Sequence, residues 1–162
     1  MLGRAVEILE RLVAFPSVSG ASTHGIVNYI KKYIEGYGIN VALSFDLARE
    51  RANVFATLGP AVDGGIVLNG HTDVVPVVGQ EWNTNPFSLS EDSEKLYGRG
   101  TCDMKGFLAI VLAAVPNMKK ANLKRPLQLA LSYDEEVGCV GVHGLLELIE
   151  KKSIKPEFCI VG

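Results

Sequence analysis

Apolar residues recur every three or four positions near the start of the chain. Val6, Leu9, Leu12 and Val13 fall on one side of residues 3–14, with Glu7, Glu10 and Arg11 between them. That period predicts an amphipathic helix, which the Pro and Gly of Phe15-Pro16-Ser17-Val18-Ser19-Gly20 then end. Ile26, Val27, Ile30 and Ile34 predict a second helix over 23–36, stopped by Gly36 and Gly38.

The period then shortens to two. Residues 39–45 and 52–58 read as strands, and Ile66-Val67-Leu68 is a short, wholly apolar run. Such a run suits the middle of a parallel sheet covered on both faces. Residues 76–95 read as a long polar loop with a short hairpin near Ser88–Leu96, and a loop of that length inside a compact domain is usually functional. Met104–Lys119 has a broad apolar face and predicts a helix, with Pro116 marking a kink or an early stop. Leu127–Tyr133 reads as a strand, Gly141–Lys151 as a helix and Phe158–Val161 as a last strand. Strands alternating with helices predict an α/β domain with a mostly parallel sheet.

Composition narrows the class. At 162 residues the chain fits one domain; 48% apolar and 21% charged residues are ordinary for a soluble globular protein. A formal net charge of −2 gives no reason to expect nucleic acid or an anionic membrane as partner. Glu7, Glu10 and Arg11 break the apolar run that a signal peptide would need, and Phe107–Val115 is too short to span a bilayer, so a cytoplasmic location is expected. Cys102, Cys139 and Cys159 form no C-x-x-C pair and read as reduced thiols.

The chemistry concentrates where predicted strands end. His71 and Asp73 follow strand 66–70, Glu135 and Glu136 follow strand 127–133, and Asp103 lies between a Gly-rich turn and a helix. In open α/β sheets such strand ends form one ligand-binding rim. Residues two apart in extended chain share a side, so Asp73 can accept the imidazole proton of His71 while the other ring nitrogen faces a metal. Glu135 and Glu136 are neighbours and diverge, so one can bind metal while the other handles protons. Each feature alone has a plainer reading: a Glu pair at a strand end is usually solvated, and Asp103 could cap the following helix. Gly98-x-Gly100 lacks the third glycine and the preceding strand of a dinucleotide fingerprint. His24 and His143 read as structural, and Trp82 and Tyr133 as packing or loop residues.

Three segments together are far more specific than their parts. Gly70-His71-Thr72-Asp73-Val74-Val75-Pro76, Tyr97-Gly98-Arg99-Gly100-Thr101-Cys102-Asp103-Met104-Lys105-Gly106 and Tyr133-Asp134-Glu135-Glu136-Val137-Gly138 resemble the dinuclear metallo-amidohydrolases. That family includes acetylornithine deacetylases, succinyl-diaminopimelate desuccinylases, aminoacylases and glutamate-releasing carboxypeptidases. The likeness runs through essentially the whole chain, and Ser132–Cys139 is most similar to the acetylornithine deacetylase branch.

The resemblance implies a three-layer αβα zinc-peptidase-like catalytic domain. It implies that His71 binds one metal ion, Asp103 bridges two and Glu136 binds the second. Glu135 would be the general base, Asp73 would orient His71, and the Asp103–Met104 peptide would be cis. The implied cofactors are two divalent ions, Zn with Co or Mn as substitutes. Such a pair, about 3.5–4 Å apart, can lower the pKa of a shared water and stabilise a developing oxyanion. The implied reaction is removal of the acyl group from a small N-acyl amino acid, with N-acetylornithine of arginine biosynthesis favoured over a succinylated substrate or a dipeptide.

In the family the last strand runs into a Glu-Pro-Thr segment, followed by a lid domain that dimerises and by a distant His ligand. On that pattern residues 1–162 are expected to be the N-terminal part of the catalytic domain. The parent would be a homodimer, and this chain alone would be inactive or a metal- or partner-binding remnant, with an unpaired sheet edge.

Overall fold

The computed structural model describes residues 1–151 and 155–162. Its helices are α1 (Leu2–Val13), α2 (His24–Glu35), α3 (Gly106–Lys120) and α4 (Val142–Lys151). Its strands are β1 (Val41–Phe45), β2 (Ala52–Leu58), β3 (Ile66–His71), β4 (Ser90–Asp92), β5 (Lys95–Tyr97), β6 (Leu127–Ser132) and β7 (Phe158–Val161). The expected elements are all present, and the β4–β5 hairpin stands where the long loop carried a hairpin signal.

Five strands form one sheet in the order β1-β2-β6-β3-β7. β6, β3 and β7 pair in parallel, whereas β2 is antiparallel to both β1 and β6. Four strands therefore point one way, as a mostly parallel sheet requires, and β2 alone is reversed. The short connection between β1 and β2 dictates this, because a tight turn can join only antiparallel neighbours.

The period-two pattern builds three layers. Val54, Ala56 and Leu58 of β2, with Leu129 and Leu131 of β6, pack under α1, α2 and α3. Phe55, Val67 and Ala130 face the other way, against Leu145 of α4. β7 lies at the sheet edge with Phe158, Ile160 and Val161 exposed. No described helix is long and apolar enough to cross a membrane.

Two local features differ from expectation. Pro116 does not stop α3, which runs on to Lys120 with Pro116 buried in the core; the proline removes one backbone bond, and the packed apolar face outweighs that loss. The helix also begins two residues late, at Gly106. Thr101–Lys105 instead form a wide turn in which Asp103 (φ −122°, ψ 98°) and Met104 (φ −134°, ψ 30°) are non-helical. The Asp103–Met104 peptide is cis, as the resemblance implied.

Candidate metal centre

The parallel register of β3 and β6 places His71 directly beside Ser132. The segments that follow, Thr72–Val74 and Tyr133–Glu136, therefore leave the sheet side by side. The Thr101–Lys105 turn closes over them. Gly100 starts that turn at φ +82°, and a Cβ there would lie 2.6 Å from Val74 Cγ1, so only glycine fits.

This arrangement brings the sequence-predicted groups together. His71, Asp103 and Glu136 each offer a ligand atom, all within 4.8 Å of one another. His71 Nε2 is 3.0 Å from Asp103 Oδ1 and 3.8 Å from Glu135 Oε2. One nitrogen and two carboxylate oxygens form a donor set suited to a first-row divalent cation. Asp103 does not cap α3: no side-chain cap bond is made there, and its carboxylate turns to His71 instead.

His71 is almost fully buried. Its backbone N–H points at Met104 Sδ (3.2 Å). On the ring, Nδ1 lies 3.0 Å from the main-chain carbonyl of Asp73 and 3.4 Å from its Oδ1. Asp73 thus stands against the ring, with its carbonyl as the nearer acceptor. Its carboxylate is engaged elsewhere, accepting Ser19 Oγ–H at 2.6 Å and the backbone N–H groups of Glu135 at 3.1 Å and Glu136 at 3.3 Å.

Electrostatics follow from this packing. Burial disfavours a charged imidazole, yet Asp73, with Asp103 behind it, raises the His71 pKa to about 9. Burial would also raise the Asp73 carboxyl, but His71, Ser19 and the Glu135 N–H hold it below its ordinary value. Glu136 is raised, first by burial and then by the nearby charges of Asp103, Asp73 and Glu135. Carboxylates crowded around one point repel one another, and a cation among them relieves that repulsion.

Glu135 stands beside the Glu136 group without joining it, its Oε2 3.8 Å from His71 Nε2. Its Oε1 is 3.6 Å from Cys139 Sγ, and it lines a cavity of about 240 Å³ with His71, Asp103, Ser132 and Val142. A larger groove of about 920 Å³, between Gly38–Asn40 and Met118–Leu123, has no histidine and one acid, Asp63. Size alone does not mark the site.

The plainer residues stay apart from it. His24 is exposed, 3.8 Å from Glu50, an acidic neighbour that sequence spacing did not reveal. Arg99 stacks on Trp82 and Arg51 on Tyr133. All three cysteines are free and exposed. Sequence reasoning passed over Ser19, Met104 as a support for His71, and Asp134. Only Asp134 carried a signal, as the acid next to Glu135.

Residues 67–162 match the model of peptidase family M20/M25/M40. The acetylornithine deacetylase of Proteus mirabilis (strain HI4320) is 34% identical over 97% of this chain and 41% of its own length. That of Klebsiella pneumoniae (strain 342) is also 34% identical, over 97% and 42%. Human carnosine dipeptidase 1 superposes with a TM-score of 0.78 at 26% identity, over 99% of this chain and 38% of that one. An M20 family metallo-carboxypeptidase from Sulfolobus solfataricus gives a TM-score of 0.78 at 26% identity, over 97% and 36%. The chain spans about two fifths of the curated relatives it matches. It belongs to peptidase family M20/M25/M40.

Proposed function

We propose that the protein containing this chain is a metal-dependent amide hydrolase that removes the acyl group from a small N-acyl amino acid, with N-acetylornithine as its substrate. The convergence of His71, Asp103 and Glu136 carries the reading, and the relatives' names support the substrate. We further infer that residues 1–162 form the N-terminal part of the catalytic domain.

His71, Asp103 and Glu136 would hold divalent metal, Zn or Co. Bound there, such metal would lower the pKa of a water and polarise an acyl carbonyl. The rest falls to this chain's own side chains. Glu135, beside the ligand group and facing the cavity, takes a proton from the attacking water onto its carboxylate. It returns that proton to the departing amine as the C–N bond breaks. Water and amide thus become a carboxylic acid and an amine, which ionise to carboxylate and ammonium. Asp73 keeps the His71 ring in place and fixes the Glu135–Glu136 backbone.

A second reading is a metallo-exopeptidase acting on dipeptides, favoured by the two superposed structures with peptidase names. Both readings share the site and differ in the acyl group. The test is a side-by-side assay of the full-length protein, loaded with Zn or Co, on N-acetylornithine, N-succinyl-diaminopimelate and a dipeptide. Preferred hydrolysis of N-acetylornithine is expected; turnover of only the dipeptide would give the second reading, and no turnover of any of them would overturn both.

A further inference from the structure

The reversed strand has a consequence at the site. β3 and β6 bring their ends to the metal rim, but β2 runs against β6 and brings its beginning. Val54 pairs with Leu131, so Arg51 and Asn53 lie beside Tyr133 and Asp134, the residues that lead into Glu135 and Glu136.

Asn53 is fully buried and closes the base of the loop. Its Oδ1 accepts the Tyr133 N–H at 3.3 Å, and its Nδ2 donates to the Gly141 carbonyl at 2.9 Å. Arg51 fixes the top. Its guanidinium donates to Asp134 Oδ2 and, on its other side, to Asp46 Oδ2 through Nε at 3.0 Å, with Nη2 2.9 Å from the same carboxylate oxygen. Asp134 is almost fully buried and accepts the Gly20 N–H on its second oxygen at 2.8 Å. Its backbone is left-handed, at φ +53°, a conformation that directs the chain into the Glu pair.

We propose that Arg51 is a positioning residue: by clamping Asp134 against the β1–β2 corner, it sets where the Glu135 and Glu136 carboxylates stand at the metal centre. The inference rests on the reading of that centre given above. A planar, always-charged fork suits this place, because it meets two carboxylates at once, and lysine offers only a point charge. Neither Arg51 nor Asp134 touches the ligand atoms, so their effect passes through the backbone of the loop.

The test compares Arg51→Met, Arg51→Lys and a core truncation away from the site, Ile34→Ala, in the full-length protein. The readouts are Co(II) affinity by competition with a chelating indicator, the visible spectrum of the bound Co(II), melting temperature, and kcat against KM. Arg51→Met is expected to weaken Co(II) binding about 10–100-fold, as loss of supporting partners does at metal sites. It should also alter the Co(II) spectrum and lower kcat with KM within about twofold. Arg51→Lys should recover part of this, and Ile34→Ala should lower the melting temperature without touching Co(II) binding. Should Arg51→Met fail to fold, Arg51→Lys decides, with Co(II) binding at least about threefold weaker expected. Unchanged Co(II) affinity and spectrum in the folded Arg51 variants, or the same change in Ile34→Ala, would overturn the proposal. The Co(II) readouts need no turnover, so they decide the clamp even if the wild-type protein hydrolyses none of the assayed amides.

Discussion

Asp73 holds Glu135 and Glu136 by their backbones: Oδ1 accepts the N–H of Glu135 at 3.1 Å and Oδ2 that of Glu136 at 3.3 Å. The residue that steadies the His71 ring therefore also fixes the segment opposite. Asp73→Asn should keep the main-chain carbonyl against the ring but break one of these two backbone bonds, because an amide has a single acceptor oxygen and turns its N–H group toward the other donor. Each buried donor left unpaired costs about 1–3 kcal/mol. The variant should melt lower without metal and bind Zn or Co about 10–100-fold more weakly. Melting curves and metal titration of the full-length protein check this; unchanged values would mean that the carboxylate is dispensable to the loop.

Glu135 and Glu136 are adjacent but not interchangeable. Among the described residues, Glu136 alone joins His71 and Asp103 within coordination reach, whereas Glu135 lines the adjoining cavity. Glu135→Gln should keep bound metal and lose about 10²–10⁴-fold in kcat, the range for a general base. Glu136→Gln should lose metal first and activity with it. Metal analysis beside steady-state kinetics separates the two, and a crossed result would exchange the assigned roles.

The sequence made the frame legible because its signals are local. Helical and strand periods predicted every main element, and the strand-end positions of His71 and Glu136, with Asp103 at the turn before a helix, pointed to one rim. What it left hidden is long-range. The short turn after β1 reverses β2, but that β6 lies along its other edge is a long-range pairing that no local period records. Ser19 reaches Asp73 across 54 positions and Arg51 reaches Asp134 across 83, and nothing near either residue marks its partner. The late start of α3 was missed for a different reason: Met104 has helical propensity, but the turn that delivers Asp103 to His71 overrides it.

Gly100 and Gly79 offer a controlled comparison. Both have a left-handed backbone, at φ +82° and φ +80°, but a Cβ on Gly79 would meet open space and one on Gly100 would strike Val74. Gly79→Ala should cost only the conformational penalty, about 1–2 kcal/mol. Gly100→Ala should cost more and should also disturb metal binding, because the Gly100 carbonyl accepts the Lys105 N–H at 2.7 Å across the turn carrying Asp103. Chemical denaturation and metal titration of both variants test this. Equal losses in the two would show that the close approach to Val74 does not constrain the turn.

Asp46 should give the protein part of its resistance to acid. Burial alone would raise its carboxyl, but the backbone N–H groups of Arg51 and Glu50 and the Arg51 guanidinium together hold it below its ordinary value of 3.8. A carboxylate depressed in the folded state binds fewer protons there than in the unfolded chain, so its contribution is complete above the unfolded value. That contribution falls away as the pH drops through the lower folded value. Asp46→Asn removes the titration while keeping one acceptor oxygen for the turn. The variant should be less stable than wild type at neutral pH, and the gap should narrow below about pH 4. Denaturation midpoints of the two proteins measured from pH 7 to pH 3 would decide it: parallel curves with a constant gap would mean that the Asp46 charge adds nothing beyond the shape of the turn.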